Sequence, residues 1–218
     1  PLQSAQLDDL VRQLNEMGIT VHIQLADKLM VGTQRQFVER LGGYTVLTTS
    51  INTISTGELF VKRLFDIIGG LVGCVLTGIL FLFLAPAIKI QSPGPVFFSQ
   101  IRVGKNGKKF KLYKFRSMYT DAEERKAQLA AENRVTDGLM FKLDFDPRII
   151  GSRRLPDGTI KKGLGNKIRD WSIDEFPQFW NVLKGDMSLV GTRPPTEDEW
   201  VKYELHHRSR LAIKPGIT

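Results

Sequence analysis

Two segments of the sequence combine residue types that could carry out phosphate chemistry. The first reads KLYKFRSMYTDAEER and places two cations shortly before three carboxylates: Lys114, Arg116, Asp121, Glu123 and Glu124. Cations beside clustered carboxylates can bind a diphosphate together with a divalent metal, and carboxylate oxygens suit Mg²⁺. A carboxylate can also attack phosphorus and form a covalent acyl phosphate. The alternative is the acidic first turn of a helix, whose side chains are only solvated.

The second segment reads SIDEFPQFWNVLKGDMSLVGTRPP and begins at Ser172. Its polar candidates are Asp174, Glu175, Asp186 and Arg193. Two prolines follow Arg193 and stiffen the backbone around the guanidinium, which makes it a suitable bidentate ligand for phosphate. The alternative is a helix–turn–extended connection in which Arg193 pairs with Asp186.

An uncharged run of 22 residues, from Ile67 to Ile88, separates these segments from the N-terminal part of the chain. As a helix it would be about 33 Å long, enough to cross a hydrocarbon core of about 30 Å. So long an uncharged run is rare in a soluble core, so a buried soluble helix is the weaker alternative. The run also contains Gly69, Gly70, Gly73 and Gly78, which either allow close helix contact or occur there by chance.

Positive charges flank the apolar run on both sides. Lys62 and Arg63 precede it, and Lys89 and a series of Lys and Arg residues follow it. A single crossing conflicts with this pattern, because only cytoplasmic flanks are enriched in cations. Pro86 denies the helix a backbone donor near its end and predicts a bend. The sequence therefore favours a re-entrant helix that returns to the same face, with a spanning helix as the alternative.

The remaining elements predict an α/β (α+β) module with amphipathic interfacial helices. A basic hairpin follows the turn SPGP, and its predicted strands run over 96–100 and 110–115. Helices are predicted over 121–133, from Ser172 to Gly185, and over 197–213. The second of these helices carries bulky residues at helical spacing, suited to a core or a membrane interface: Phe176, Phe179, Trp180 and Leu183.

Residues 1–54 predict the tail of a soluble α/β domain, and their order of helix and then strand suggests its last βαβ fragment. Leucines and a valine over 7–14 repeat at helical spacing, Gly18 ends that helix, and strands are predicted over 19–25 and 44–48. The chain divides into 1–54, a membrane-inserted segment over 55–90, and a catalytic module over 91–218. Its net charge is +8, and its single cysteine excludes a disulfide framework and a cysteine-cluster metal site. A chain that starts at Pro1 and stops in mid-motif at Thr218 is expected to be a piece of a longer protein.

Several separate pieces, in the right order, resemble the bacterial sugar transferases, also called monotopic phosphoglycosyl transferases or polyprenyl glycosylphosphotransferases. The pieces are KRLFD, SPGPVFFSQIRVGKNGKKF, KFRSM with DAE behind it, DPRI, SIDEFPQFWNVLKGDMSLVGTRPP and KPGIT. The resemblance runs from Lys62 to Thr218. Residues 1–54 look like the end of the Rossmann-like domain that precedes the catalytic module in long members of the family.

The resemblance implies transfer of a sugar-1-phosphate from a nucleotide sugar to undecaprenyl phosphate, at the cytoplasmic face of the bacterial inner membrane. A UDP-hexose is the first candidate for the nucleotide sugar. It implies Mg²⁺ as the cofactor and Asp121 as the covalent nucleophile. Glu123 is implied as the second carboxylate and metal ligand, with Glu124 as the alternative because it shares a helix face with Asp121. The resemblance implies four cations that bind phosphates: Lys114, Arg116, Arg148 and Arg193. It also implies three carboxylates that bind metal or support the site: Asp174, Glu175 and Asp186.

The sequence departs from the family pattern at the helix break, where Ala85-Pro86 stands in place of Ser-Pro. Thr77, water or a neighbouring helix is then expected to satisfy the bent backbone. Three rival functions are a nucleic-acid module, a membrane-anchored scaffold and a metal-dependent phosphohydrolase. The first rival leaves the apolar run unexplained, so no nucleic-acid partner is expected, while self-association is expected to be possible.

Overall fold

The computed structural model describes residues 4–24, 36–41, 44–49, 56–129 and 143–217. Its helices and strands are α1 (Ser4–Glu16), β1 (Val21–Gln24), β2 (Gln36–Leu41), β3 (Tyr44–Thr49), α2 (Thr56–Gln91), β4 (Phe97–Val103), β5 (Lys109–Phe115), α3 (Ala122–Gln128), β6 (Arg153–Arg154), β7 (Ile160–Lys161), α4 (Leu164–Asp170), α5 (Gln178–Lys184), α6 (Glu197–Val201) and α7 (Leu205–Arg208).

The N-terminal region contains helix α1 and a three-stranded sheet. The predicted helix and its end at Gly18 are confirmed, and Gly18 has a positive φ of 76°. Strand β3 lies between β1 and β2 and pairs antiparallel with both. A βαβ unit joins parallel strands, so the pairing among the described residues differs from the expected βαβ fragment. The Rossmann-like assignment stays a prediction.

Helix α2 contains the apolar run. Within the described part of the chain it is the one helix long and apolar enough to cross a membrane. The helix continues through Pro86 to Gln91, and the bend expected there stays a prediction. The Thr77 hydroxyl lies 2.7 Å from the carbonyl of Gly73 and 3.0 Å from that of Phe176. The Thr77 hydroxyl therefore does not hydrogen-bond to the carbonyl one turn before Pro86. The expectation that Thr77 satisfies the backbone at the helix break was wrong.

One face of α2 packs closely against α5. The two helices run in opposite directions, since Gly70 meets Leu183 while Gly73 meets Phe179. A Cβ at Gly73 would lie 2.1 Å from the Phe179 ring, whereas a Cβ at Gly78 would meet nothing within 4 Å. Close contact is therefore confirmed at Gly73 and its neighbours but not at Gly78. The helix that α2 packs against belongs to the segment after residue 91, which we call the polar module.

Charged residues fasten the start of α2 to the end of α5. Arg63 donates hydrogen bonds of 2.7 Å each to the carbonyls of Val182 and Leu183 in the last turn of α5. The Val182 carbonyl also accepts from the amide of Gly185 at 3.0 Å. Asp66 is 3% exposed and accepts a hydrogen bond of 2.8 Å from the Ser188 hydroxyl. The KRLFD motif is thus a docking motif for the helix.

The other end of α2 belongs to the core of the same module. Ile88 is fully buried in a cluster with residues from four further segments: Val96, Phe115, Ile150 and Ile168. A second cluster lies between β5 and α5 and contains Phe110, Leu112, Val182 and Met187. Strands β4 and β5 form an antiparallel hairpin between these clusters, as predicted. The module therefore holds α2 at both ends.

Two predicted helices are broken in the structure. Residues 172–184 form a 3-10 turn over Ile173–Glu175 and then α5, because Ser172 adopts a left-handed φ of 54° and Pro177 has no backbone N–H to continue a helix. The end at Gly185 is confirmed, with a φ of 90°. The helix predicted over 197–213 is instead α6, α7 and a 3-10 turn, since Glu204 is extended. The helix predicted over 121–133 is confirmed over 122–128, and 130–133 lie outside the described residues.

Candidate active site

A short pairing between two loops places Asp121 beside the DPR sequence. The amide of Tyr119 donates to the carbonyl of Arg148 at 2.8 Å, and the amide of Ile150 donates to the carbonyl of Ser117 at 3.0 Å. These bonds hold the segment after β5 against residues 148–150. As a result, Asp121 lies immediately before α3, and Arg148 approaches the carbonyl of Ala122, the residue that follows it.

The two carboxylate oxygens of Asp121 have different surroundings. Oδ2 lies 2.6 Å from Nη2 of Arg125, one helical turn further along α3. Oδ1 is buried and has no hydrogen-bond partner among the described residues. An unpartnered buried carboxylate oxygen is costly unless a ligand or metal completes it. Asp121 is therefore held in place through Oδ2, while Oδ1 keeps an unused capacity to accept a hydrogen bond or bind a metal.

Arg148 is 5% exposed and is held by Asp146 through two parallel hydrogen bonds of 2.8 and 2.7 Å. Its Nη1 also lies 3.5 Å from the carbonyl of Ala122, at the start of α3. Burial by itself raises the pKa of Asp146, but the hydrogen bonds and positive charge of Arg148 outweigh it and lower the pKa below its usual value. This buried ion pair fixes a guanidinium beside Asp121.

Arg116 ties the turn just after α2 to the end of β5, which leads to Asp121. It is 4% exposed, and its guanidinium donates to the Ser92 hydroxyl at 3.1 Å, to the Ser92 carbonyl and to the Pro93 carbonyl at 3.0 Å. Burial lowers the pKa of this guanidinium. In this structure Arg116 fixes the turn after α2, and its contact with phosphate stays a prediction.

Glu123 and Glu124 are exposed in the first turn of α3. Within the described residues, no three His, Cys, Asp or Glu side chains come close enough to hold a metal by themselves. Mg²⁺, however, binds through one or two carboxylates and completes its shell with water and substrate phosphates. The unpartnered Oδ1 of Asp121 with a neighbouring glutamate fits that mode of binding.

Four other predicted residues meet in a second cluster, around the side chain of Lys114 near the end of β5. Lys114 lies 2.6 Å from Oε1 of Glu175 and 3.7 Å from Oδ2 of Asp174. Arg193 lies 3.3 Å from Oε1 of Glu199, so the alternative in which it pairs with Asp186 is wrong. Glu199 also accepts the amide of Thr196 at 2.9 Å and completes the capping box of α6.

The second cluster surrounds a small cavity of about 170 Å³, lined by Arg102, Lys114, Glu175, Gln178 and Arg193 among others. Burial raises the pKa of Asp174, and the nearby charge of Lys114 opposes that rise. Every carboxylate named in this cluster has a cation within 4.0 Å. The Asp121 carboxylate has one as well, Arg125, but only its Oδ2 is paired.

Comparison with known proteins places this arrangement in a family. The profile described as bacterial sugar transferase matches residues 57–218. The chain belongs to the bacterial sugar transferase family.

Relatives of known name match both the sugar transferase module and the region before it. The chain is 44% identical over 213 residues to a protein named galactosyl transferase CpsE of Streptococcus agalactiae, covering 98% of this chain and 44% of that protein. It is 30% identical over 217 residues to the UDP-glucose:undecaprenyl-phosphate glucose-1-phosphate transferase of Escherichia coli, covering 98% and 41%. The undecaprenyl-phosphate galactose phosphotransferase of Salmonella typhimurium is 36% identical over 170 residues, covering 77% and 33%. The chain thus spans less than half the length of these relatives.

The structure divides the predicted site residues of the sugar transferase module into three groups. Asp121, Glu123, Glu124, Arg116 and Arg148 lie around the start of α3, and Lys114, Asp174, Glu175 and Arg193 form the second cluster. Asp186 belongs to neither group and pairs with Lys184 at 2.9 Å, at the end of α5.

Sequence reasoning missed two residues that shape the site of the sugar transferase module. Arg125 follows Asp121 at the i, i+4 spacing of a helical ion pair, which was a readable signal. Asp146 precedes Arg148 within the DPR sequence, but its role depends on the fold that buries both side chains.

Proposed function

We propose that the full-length protein transfers a hexose-1-phosphate from a UDP-hexose to undecaprenyl phosphate and so starts the synthesis of a surface polysaccharide. Family membership supports the class of reaction, and names such as that of the Escherichia coli relative support the two substrates. The observation that carries the chemistry is Asp121, with one oxygen paired to Arg125 and the other buried and unpartnered beside Arg148.

In the first half-reaction, an oxygen of Asp121 attacks the phosphorus that bears the sugar. The bond from that phosphorus to the bridging oxygen breaks, and UMP leaves with the bonding electrons. The result is an aspartyl phosphosugar on the protein. Arg148 offers a fixed positive charge next to the attacking group, which stabilises negative charge that develops on the phosphoryl oxygens.

We place Mg²⁺ between Asp121 and Glu123, with Glu124 as the other choice. When bound, the metal neutralises the diphosphate and makes UMP a better leaving group. Asp121 and the glutamate are the chain's own contribution to holding it, and the substrate's phosphates complete the shell.

In the second half-reaction, a phosphate oxygen of undecaprenyl phosphate attacks the same phosphorus and releases Asp121. The product is undecaprenyl-diphosphate-hexose. A covalent intermediate suits two substrates of unlike solubility, because the nucleotide sugar can leave before the lipid arrives.

We further propose that α2 enters and leaves the same face of the bacterial inner membrane, with the module in the cytoplasm. Near its start, Lys62 donates to the Ser188 hydroxyl at 2.6 Å, and near its end Ile88 is buried against Phe115. A straight crossing would put these two ends on opposite membrane surfaces about 30 Å apart. One polar module cannot contact both ends in that arrangement, so the contacts support the re-entrant placement.

The test is release of UMP by the full-length protein in detergent with Mg²⁺, a panel of nucleotide sugars and undecaprenyl phosphate. Asp121→Asn is compared with Asp198→Asn, which alters an exposed carboxylate on α6. The proposal requires UMP release beyond one equivalent per protein that depends on the lipid, is lost in Asp121→Asn and is retained in Asp198→Asn. Repeated turnover without lipid would indicate a phosphohydrolase, and full activity of Asp121→Asn would exclude the aspartyl mechanism.

A further inference from the structure

A wide basic concavity lies beside the end of the apolar helix and is separate from the two clusters already described. Its volume is about 630 Å³, and its lining includes the last residue of α2, Gln91, together with Tyr119 and four cations: Arg153, Lys161, Lys162 and Lys167. The cations come from the β6–β7 hairpin and from α4.

Three of the four cations have no side-chain partner among the described residues. Lys162 forms an ion pair of 2.7 Å with Asp170, but no such pair involves Arg153, Lys161 or Lys167. By contrast, the predicted phosphate ligands Arg116 and Arg148 are engaged by protein groups. The concavity beside α2 therefore contains three cations that have no side-chain partner within the described residues.

The hairpin pairing brings two of these cations directly together. Arg153 and Lys161 are cross-strand partners, so both side chains project from the same face of the hairpin. Like charges directly opposite each other destabilise a strand pair. The residues on the other face are Arg154, which lies 5.3 Å from the Phe145 ring centroid, and Ile160. A bound anion would relieve the repulsion between Arg153 and Lys161.

Exposed apolar side chains alternate with the cations in this region. Leu155 is 40% exposed, Ile160 is 43% exposed and Trp171, just after α4, is 79% exposed. Basic residues beside exposed tryptophan and aliphatic side chains are typical of a protein surface at the level of lipid headgroups. The position next to Gln91 fits, because α2 emerges there from its apolar stretch.

We infer that the concavity binds the phosphate of an anionic phospholipid headgroup, with Arg153, Lys161 and Lys167 as its ligands. Leu155, which also lines the concavity, and Trp171 contact the upper acyl region around that headgroup. The contact would fix how the module sits on the membrane surface, next to the loop that carries Asp121. It does not depend on the chemistry proposed for Asp121.

The test uses the full-length protein in an uncharged detergent, without nucleotide sugar, and follows its thermal unfolding midpoint. Short-chain phosphatidylglycerol is titrated and compared with phosphatidylcholine. The variant Arg153→Gln/Lys161→Gln/Lys167→Gln is matched by Lys105→Gln/Lys108→Gln/Lys111→Gln, which removes the same charge from exposed positions of the β4–β5 hairpin. We expect phosphatidylglycerol alone to raise the midpoint, and the first variant to need at least about tenfold more of it, at roughly 1 kcal/mol per basic residue. The control should match the wild type.

Equal responses of the two triple variants, or an equal effect of phosphatidylcholine, would overturn the inference. Competition arms then identify the source of the phosphate. Displacement by inorganic phosphate or a UDP-sugar would show a site for soluble phosphates, and displacement by far lower amounts of undecaprenyl phosphate would show an acceptor site; either result contradicts a phospholipid site. If the first variant does not fold, Lys161→Gln/Lys167→Gln replaces it, since both side chains are exposed and neither has an ion pair within the described part of the chain.

Discussion

The sugar transferase module contains two charged clusters that differ in how completely their charges are paired. Around Asp121, one carboxylate oxygen is paired with Arg125 and the other is buried without a partner. Around Lys114, two carboxylates share one ammonium group at 2.6 and 3.7 Å. Both clusters extend from one strand, since Lys114 and Arg116 are two residues apart.

We take this difference to support the proposal that the Asp121 cluster carries out the reaction. The carboxylates around Lys114 are paired with its ammonium group, and a paired network gains little from a ligand. An unpartnered buried oxygen is tolerated where a substrate or metal completes it. Residue type alone did not separate these cases, because both segments offer cations beside carboxylates.

The largest expected effect comes from Asp121→Asn. It removes the nucleophile and should lower turnover by at least about 1,000-fold, a barrier increase of roughly 4 kcal/mol. The unfolding midpoint should change little, because the exchange keeps the shape of the side chain and loses one ion pair that is more than two-fifths exposed. UMP release and thermal unfolding measure the two effects. A variant that loses both equally would assign Asp121 to the structure instead.

A glycine substitution at the close contact between α2 and α5 should destabilise the sugar transferase module. In Gly73→Ala the new Cβ would lie 2.1 Å from the Phe179 ring, so α5 must shift, at a cost of about 1–3 kcal/mol. Gly78→Ala is the matched control, since nothing lies within 4 Å of its Cβ. Denaturant unfolding in detergent measures the cost. Equal stability of the two variants would mean that α2 does not pack on α5 as described.

The two clusters should respond to pH in opposite directions. The folded-state pKa of Asp146 is lowered, so its contribution to stability is present above the unfolded pKa of about 3.9 and is lost as the pH falls through the folded value. The folded-state pKa of Asp174 is raised, so its contribution is present below about 3.9 and is lost as the pH rises through the folded value.

Asp146→Asn should therefore flatten the loss of stability on acidification, and Asp174→Asn should flatten the loss between about pH 4 and the folded pKa. At pH 7, Asp146→Asn should also cost about 3 kcal/mol, because it leaves Arg148 buried without its ion-pair partner. Unfolding free energies measured against pH check both slopes. The same slope change in both variants would contradict the opposite signs.

The smallest expected stability effect is that of Arg193→Gln in the second cluster. Its pair with Glu199 is half-exposed on the arginine side, so the loss should stay below about 1 kcal/mol. If Arg193 contacts a phosphate as the resemblance implies, KM for the nucleotide sugar rises while stability is kept. An unchanged KM would assign the second cluster to structure alone.

Local patterns predicted much of the fold. The repeat of apolar residues predicted α1, the uncharged run predicted α2, and alternation predicted the β4–β5 hairpin. The helix predicted from Ser172 failed for a local reason, since Pro177 has no backbone N–H and was a readable signal. The helix predicted over 197–213 failed where tertiary packing overrides local propensity, since Gly18 brings α1 against Ser209 and Ala212, at and just after the 3-10 turn that follows α7.

The candidate site was predictable in residue type but not in grouping. The spacing of Asp121, Glu123 and Glu124 placed all three at the start of a helix. The structure places Glu123 and Glu124 in the first turn of α3 and Asp121 immediately before it. That Arg116 would be engaged by Ser92 depends on the turn after α2 and cannot be read from spacing.

The most direct test of the central claim is the intact mass of the full-length protein after incubation with Mg²⁺ and its UDP-sugar, before any lipid is added. A phosphosugar on Asp121 should add the mass of the hexose phosphate and disappear when undecaprenyl phosphate is supplied. Asp121→Asn should gain nothing. An active protein that never carries the added mass, or carries it at another residue, would contradict the role assigned to Asp121.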